Sequence, residues 1–262
     1  MEYDVIWRDS SEVERSGELQ HDHQNCVVIL VLQGSGTYLL DQKIWGYAPN
    51  SLFIIPAHTL HASQSITPEY CRMMLQFSPS IPEKHSTPQT DLRPFFRQPR
   101  HLRLSTGQAA AVREQMEACR AKDERTFGGD LQRDMMFITL LLTISRYIQS
   151  APEEGMEPAQ SRITPVLEYV QANLGAQLTL ERIAGDLYLN KYYLCHLFKK
   201  ETGITLGDYI VRCRLKKAQE LLECGCSVQK AAEVSGFGNY AHFIRTFTRH
   251  TGISPGKYGR RT

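Results

Sequence analysis

The sequence lacks the long apolar segments that would assign it to the membrane proteins. It has no apolar run of about 18 residues or more, the length that a membrane-spanning helix requires. The longest apolar cluster, at residues 137–148, is interrupted by Thr139, Thr143, Ser145 and Arg146. The first residues also lack the basic-then-apolar pattern of a secretory signal peptide. We therefore expect a cytoplasmic protein with no membrane partner.

The sequence also lacks the signatures of the common enzyme classes. It contains no G-x-S-x-G, no Walker loop, and no G-x-G-x-x-G that follows a strand and opens a helix. Its seven cysteines are an odd number without a framework of spacings, and Cys224 and Cys226 form the one close pair. Such a pattern favours reduced thiols over disulfides or a metal site. We expect no enzymatic activity, no catalytic residues, no metal and no cofactor.

Charge is present in nearly balanced amounts, with a net charge of +2, but it is distributed unevenly. Residues 161–262 contain 15 Lys and Arg against 8 Asp and Glu, a net charge of +7, whereas residues 1–160 contain 15 against 20, a net charge of −5. A basic segment attached to an acidic remainder indicates that one end of the chain binds a polyanion.

The basic segment contains one pattern twice, about 48 residues apart. In each copy a short apolar-periodic stretch is followed by a turn and by a longer helical stretch that ends near a glycine. The two copies occupy residues 178–203 and residues 227–252, with the closing glycines at Gly203 and Gly252. A short helix, a tight turn and a longer helix form a helix-turn-helix unit. The repeat predicts a protein that binds double-stranded DNA through two recognition helices.

The spacing on the two longer helices separates a core-facing stripe from a DNA-facing stripe. Tyr193, Leu194, Leu197 and Phe198 are expected in the core of the first unit, with Phe243 and Phe247 in the core of the second. Arg245 is the best candidate for direct base readout, because a guanidinium can bind guanine O6 and N7 together. The flanking cations are expected to contact phosphates, and the alternative is that these are solvated helix faces. The predicted DNA-binding residues are Lys191, Tyr192, Cys195, His196, Lys199, Lys200, Tyr240, Ala241, Ile244, Arg245, Thr248 and Arg249.

Residues from about 163 to 260 resemble the DNA-binding domain of the AraC/XylS family. The resemblance implies two helix-turn-helix units joined by a long helix and set in adjacent major grooves. The matching positions are Leu194, Phe198, Lys199 and Gly203 in the first unit, Tyr209, Arg214, Leu215, Ala218, Leu221 and Leu222 in the long helix, and Gly236, Phe237, Phe243, Phe247, Gly252, Ser254, Pro255 and Tyr258 in the second unit.

The N-terminal half reads as a set of short strands. Apolar runs at residues 26–32, 37–40, 51–55 and 71–77 are separated by Gly, Pro and Asn, which predicts an antiparallel barrel or sandwich. The turn at residues 33–36 is expected to return the first of these strands as a hairpin. Helical periodicity then appears at residues 108–121 and 130–148. This helical pair serves either a dimer or only packing on the barrel.

Histidines frame the turn between these strands. His21 and His23 precede one strand, and His58 and His61 follow another, as in the cupin-type sensor half that accompanies the resembling DNA-binding domain. In metal-binding cupins a Glu joins such histidines, but Val27 and Val28 stand where it would be expected. The resemblance therefore implies an organic-effector pocket, with metal ligands or structural histidines as the alternatives. The predicted effector-binding residues are His21, His23, Tyr38, Trp45, His58, His61 and Gln76.

The fold class expected from these observations is α+β. We expect a cupin-like β-barrel sensor at residues 1–104, a helical dimerisation segment at residues 105–150, a linker at residues 151–160, and an all-α double helix-turn-helix at residues 161–262. The function expected is that of a dimeric transcriptional activator whose partners are DNA, RNA polymerase and a small-molecule effector such as a sugar or a small acid. The alternatives are a metal-binding cupin, enzyme or sensor, fused to the DNA-binding domain, and a ligand-independent regulator whose barrel only dimerises.

Overall fold

The computed structural model describes residues 3–9, 25–65, 67, 69–120, 126–151 and 161–260. The chain divides into two compact units, Met1–Ala159 and Gln160–Thr262. Of the helices within the described ranges, none combines the length and the apolar character that a membrane span requires. His21, His23 and most of the expected linker lie outside the described residues.

Where the structure describes unit 1, it contains two antiparallel sheets. The five-stranded sheet has the order β1-β7-β2-β5-β8 and the three-stranded sheet the order β4-β3-β6. The antiparallel arrangement confirms the expected fold class, but no strand pair within the described ranges joins the two sheets, so in this part the expected barrel is an open sandwich. The strands are β1 (Tyr3–Asp9), β2 (Cys26–Gln33), β3 (Gly36–Leu40), β4 (Lys43–Tyr47), β5 (Ser51–Ile55), β6 (His61–Ser65), β7 (Cys71–Phe77) and β8 (Arg100–Arg103).

The expected hairpin at residues 33–36 is wrong. β2 pairs with β5 and β7, whereas β3 pairs with β4 and β6 in the other sheet. A residue distant in sequence stabilises the turn, because the backbone N–H of Ser35 donates to the Thr67 hydroxyl at 3.0 Å. The segment therefore carries the chain from one sheet to the other.

The five-stranded sheet is covered on both faces. Its inner face packs on the three-stranded sheet through a cluster of Val27, Ile29, Val31, Tyr38, Leu40, Trp45, Tyr47, Phe53, Ile55, Tyr70 and Met74. Its outer face packs on two helices through the alternate residues of β2, β5 and β7. Strands buried on both faces read as continuous apolar runs, which is why residues 26–32 show no alternation of apolar and polar residues.

The described residues of unit 1 also form four helices, namely α1 (Ser80–Lys84), α2 (Arg93–Phe96), α3 (Thr106–Arg120) and α4 (Gly129–Ser150). α3 buries Ala109, Val112, Met116 and Cys119, the four positions that its helical period predicts.

α4 has a broad apolar face that is buried only in part. The helical period places Leu131, Met135, Ile138, Leu142 and Ile148 on this face, and of these Ile148 is buried. The buried face instead centres on Phe137, whose ring stacks on Tyr3 with 4.0 Å between centroids. The helix therefore has a second apolar face, on which Leu131 and Met135 are each 63% exposed.

Unit 2 is helical throughout its described residues. The long helix α8 begins after Thr205, whose hydroxyl accepts a hydrogen bond from the Asp208 N–H, as the sequence predicts for residues 205–223. The helices are α5 (Thr164–Ala172), α6 (Leu180–Asp186), α7 (Lys191–Thr202), α8 (Leu206–Glu223), α9 (Val228–Val234), α10 (Tyr240–Thr251) and α11 (Pro255–Tyr258).

Candidate nucleic-acid interface and effector site

Within unit 2, the two copies of the sequence repeat fold into two helix-turn-helix motifs of the same local geometry. Asn190 and Asn239 cap the N-termini of α7 and α10. The Asn190 side chain accepts the N–H groups of Tyr192 and Tyr193, and the Asn239 side chain accepts that of His242. Gly203 and Gly252 end the same helices with φ of 78° and 74°, a left-handed conformation that costs little without a Cβ. Both helices have 12 residues and are thus about 18 Å long, a length suited to a DNA groove.

The turn before each recognition helix is also duplicated. The N–H of Leu189 donates to the carbonyl of Ala184 at 2.8 Å, and the N–H of Phe237 donates to the carbonyl of Ala232 at 3.0 Å. The residue with a left-handed backbone is Tyr188 in the first helix-turn-helix, with φ of 54°, and Gly236 in the second helix-turn-helix, with φ of 87°. These bonds fix the angle at which each recognition helix leaves its turn.

α7 presents a polar surface above a small apolar core. Leu194, Leu197 and Phe198 are buried as predicted, but Tyr193 is 45% exposed and does not belong to the core. Since Tyr193 lies one position before Leu194, its side chain points about 100° away from the centre of the buried stripe. Of the predicted contact residues on this helix, Tyr192, His196, Lys199 and Lys200 are exposed, and Lys191 and Cys195 are half-buried.

α10 has the corresponding arrangement. Phe243, Thr246 and Phe247 are buried, and the predicted contact residues Tyr240, Ala241, Arg245 and Arg249 are exposed. Ile244 and Thr248 are half-buried, and Ile244 packs against the core of the second unit. His242, which the pattern missed, is also exposed and lies one turn before Arg245 on the same side of the helix.

The cations on these helices differ in their partners. Lys191 forms an ion pair with Glu181 of α6, and this hydrogen-bonded carboxylate raises the pKa of the Lys191 ammonium group. Lys199, Lys200, Arg245 and Arg249, by contrast, have no carboxylate partner within residues 161–260, where the structure describes unit 2. These four exposed cations leave the recognition surface positive, which suits a phosphate backbone.

In unit 1 the predicted effector-binding residues occupy different positions. Tyr38 and Trp45 are buried on the inner face between the sheets. His61 lies opposite Leu40 in the pairing of β6 with β3, and Gln76 lies two residues after Met74 in β7. Since Leu40 and Met74 belong to the inner-face cluster, the half-buried side chains of His61 and Gln76 lie on that face too. His58 is exposed in a turn, with φ of 60°.

Further polar residues of the inner face were missed by the sequence reading. Tyr70, Arg72 and His101 lie among the same apolar side chains. Arg72 could have been expected there, because it alternates with Met74 and Gln76 along β7 and therefore lies on the same face of the strand. The ring of His101 stacks on Phe53 at 4.4 Å between centroids. Burial, with a smaller effect of Arg103, lowers the pKa of His101 to about 4, so the imidazole is neutral at neutral pH. The inner face thus combines aromatic surface with a few polar groups, the composition of an organic-ligand site.

Within the described residues, no group of three or more His, Cys, Asp or Glu side chains is placed to hold a metal ion. His21 and His23 are not among those residues.

Comparison with known proteins assigns both units. The sequence model of the AraC-like ligand binding domain matches residues 16–135, and that of a helix-turn-helix domain matches residues 183–261. The HTH-type transcriptional activator RhaR of Klebsiella pneumoniae is 26% identical over 257 residues, which cover 93% of this chain and 88% of the relative. The RhaR protein of Cronobacter sakazakii is also 26% identical, over 90% of this chain and 84% of its own.

Among solved structures, ToxT from Vibrio cholerae aligns over 99% of this chain and 97% of its own, with 10% identity and a TM-score of 0.39. Taken together, the matches to both sequence models and the relatives of nearly full length show that the chain belongs to the AraC family, as a DNA-binding transcriptional regulator with an N-terminal ligand-binding domain.

Proposed function

We propose that the protein is a cytoplasmic, homodimeric transcriptional activator that contacts RNA polymerase when a small-molecule effector occupies the inner face of unit 1. Residues 1–104 sense the effector, residues 105–150 dimerise, residues 151–160 link the two units, and residues 161–262 bind DNA. The protein regulates transcription and catalyses no reaction. Support comes from the relatives named as activators and from the ligand-binding and helix-turn-helix domains that the chain matches.

The observation that carries the DNA-binding role is the pair of matched recognition helices with unpaired cations. Arg245 reads a base edge, and Lys199, Lys200 and Arg249 contact phosphates. Tyr192, His196 and Ala241 lie along the same exposed stripes and complete the contact with the groove. Two helices of this kind bind two successive turns of the major groove, because each unit covers only part of one turn.

Affinity of the full chain for duplex DNA should fall steeply as salt concentration rises. Each phosphate contact releases counterions, and each contributes about −0.9 to the slope of log affinity against log salt. With three to four such cations the slope should reach about −3 or be steeper, and fluorescence anisotropy with a labelled duplex measures it. Lys84→Gln, an exposed change in α1 of unit 1, serves as the matched control and should leave the slope unchanged. A slope near zero would remove the DNA-binding proposal.

The dimerisation role rests on the second apolar face of α4. Leu131 and Met135 lie one turn apart, and the half-buried Ile138 and Leu142 continue the same stripe. Large apolar side chains this exposed on one helix face mark an interaction surface. A second copy of α4 is the proposed occupant, because a stripe of this spacing can pack on its own symmetry mate.

Replacing both Leu131 and Met135 by Glu should convert a dimer to a folded monomer. Neither side chain is needed for the core of unit 1, since each is 63% exposed, whereas four buried carboxylates at a symmetric interface are strongly unfavourable. Sedimentation velocity at about ten to a hundred times the parent's dissociation constant distinguishes the two states. Gln149→Glu, exposed at the end of the same helix, is the control and should remain dimeric. A monomeric parent, or a double variant that stays dimeric, would contradict the proposal.

A further inference from the structure

The inner face of unit 1 contains a buried cation. Arg72 is the second residue of β7, the strand between β1 and β2 in the five-stranded sheet, and it is only 6% exposed. Its neighbours across the strand pairs include Val31 of β2, and the surrounding cluster is aliphatic and aromatic. A guanidinium remains charged at every pH that a protein tolerates, so this face contains a positive charge removed from water.

The contacts of the guanidinium satisfy it only in part. One terminal nitrogen, Nη1, donates to the hydroxyl of Tyr38, and the guanidinium lies over the ring of Tyr70, with Cζ 5.6 Å from the centroid. The two tyrosine hydroxyl oxygens are 3.4 Å apart. The Nε atom of Arg72 is buried and has no hydrogen-bond acceptor among the described residues.

Within the described part of unit 1, the charge is also uncompensated. No carboxylate of the described residues pairs with Arg72, and the groups that act on it electrostatically are the two tyrosines. Burial raises the pKa of Tyr70 well above its ordinary value, so this hydroxyl stays protonated and supplies no negative charge. A buried charge without a counter-charge is strongly unfavourable, and proteins keep one where a ligand or a partner neutralises it.

We propose that Arg72, together with the hydroxyls of Tyr38 and Tyr70, binds the oxyanion of the effector, and that this effector is an organic carboxylate with a small apolar body. One carboxylate oxygen accepts a charge-assisted hydrogen bond from Nε of Arg72, and the other accepts from a tyrosine hydroxyl. The aromatic rings of Tyr38, Tyr47 and Phe53 pack within 7 Å of one another, centroid to centroid, and provide the apolar surroundings. This inference rests on the proposed sensing role of unit 1 and specifies the class of effector.

The test uses the full-length chain and two pairs of probes, sodium acetate with acetamide and sodium butyrate with butyramide, at constant ionic strength set by sodium chloride. The expected result is that the carboxylates raise the midpoint of thermal unfolding in a saturable way and that the amides do not. Butyrate should bind more tightly than acetate, because its chain buries more apolar surface. Inorganic phosphate is the second anion and should stabilise the chain less than butyrate does.

Three variants separate a binding role of Arg72 from a structural one. Arg72→Met should unfold at the same or a higher temperature without anion, because the uncompensated charge is gone, and should lose the response to butyrate. Tyr70→Phe keeps the ring and should weaken butyrate binding by roughly 10-fold, the usual effect of one hydrogen bond to a charged group. Arg103→Met is the matched control, since Arg103 is exposed on β8 of the same sheet, and it should respond as the parent does.

The outcomes are distinct from those of the activator proposal. A parent that shows no difference between butyrate and butyramide, or an Arg72→Met variant that responds as the parent does, overturns the oxyanion site, even where reporter assays still find an effector. Stronger stabilisation by phosphate than by butyrate overturns the carboxylate assignment. If butyrate binds the parent and Arg72→Met abolishes this binding, the oxyanion site is supported. If transcription nevertheless fails to respond to butyrate, that failure counts only against the sensing role of unit 1. If Arg72→Met fails to fold, Tyr70→Phe decides between the same outcomes.

Discussion

Replacing Gly236 by Ala should unfold the second helix-turn-helix unit and abolish high-affinity DNA binding. A Cβ at this position would lie 2.1 Å from the carbonyl oxygen of Leu174 and 2.9 Å from Nε of Arg214, with φ at 87°. Arg214 cannot move freely, because its guanidinium donates to the carbonyls of Leu174 and Ala176. Left-handed strain and backbone overlap together should cost about 3 kcal/mol or more.

Gly238→Ala is the matched control, two residues away in the same turn. A Cβ there meets nothing within 4 Å, and its φ is not positive. Its stability should be equal to or slightly above that of the parent, because alanine restricts the unfolded chain. Far-UV circular dichroism during urea unfolding reports the helices of both units, so the loss of unit 2 is the part of its signal that does not follow tryptophan fluorescence. Tryptophan fluorescence reports unit 1, since both tryptophans, Trp7 and Trp45, lie there. Equal stability of the two variants would show that the turn can relax.

Substituting Arg245 should change which DNA is bound, whereas substituting Lys200 should change how tightly all DNA is bound. Arg245 is exposed at the centre of α10 without a carboxylate partner in the described part of unit 2, and Lys200 lies near the C-terminal end of α7. Loss of a bidentate base contact costs about 1–3 kcal/mol of discrimination, a factor of roughly 5 to 150. Loss of one phosphate contact lowers affinity uniformly and reduces the salt slope by about 1.

The measurement is competition between a duplex selected from a random library by the parent protein and a scrambled duplex of the same composition. Arg245→Ala should lose affinity for the selected duplex alone, and Lys200→Ala should lose affinity for both. Lys230→Ala is the control, because Lys230 lies on α9, outside the two recognition helices, and forms an ion pair with Glu233 of the same helix. An equal loss on both duplexes for Arg245→Ala would make Arg245 a phosphate contact.

The C-terminal unit could be predicted well from the sequence because its structure is local. Capping residues, closing glycines and the apolar period of α7 and α10 all act within one or two helical turns. Tyr193 was wrongly predicted to be buried. It lies at the edge of the apolar stripe of α7, where the helical period does not decide between core and solvent. An aromatic residue there can turn to either side, and packing against other helices decides.

The N-terminal unit was predicted less completely because its order is non-local. The strands β1, β4, β6 and β8 were missed. Gly46 interrupts β4, and β6, at residues 61–65, is polar apart from Ala62. Pairing partners such as β1 and β7 are separated by more than sixty residues, which no local pattern reveals. The alternation of β7 places Arg72 on the same face as Gln76. It was missed because a cation in an apolar strand is usually expected to point to solvent.

The continuous apolar character of β2 has a consequence for how the chain folds. Since both faces are buried, sliding β2 by one residue against β5 or β7 would exchange apolar side chains for apolar side chains. What distinguishes the correct alignment is an irregularity between Val31 and Gln33 and the bond from the Asn50 N–H to the Val31 carbonyl at 2.9 Å. Misaligned intermediates should therefore be nearly as compact as the native sheet and slow to correct. During synthesis the helical unit, although translated last, should reach its final structure before the sheets do.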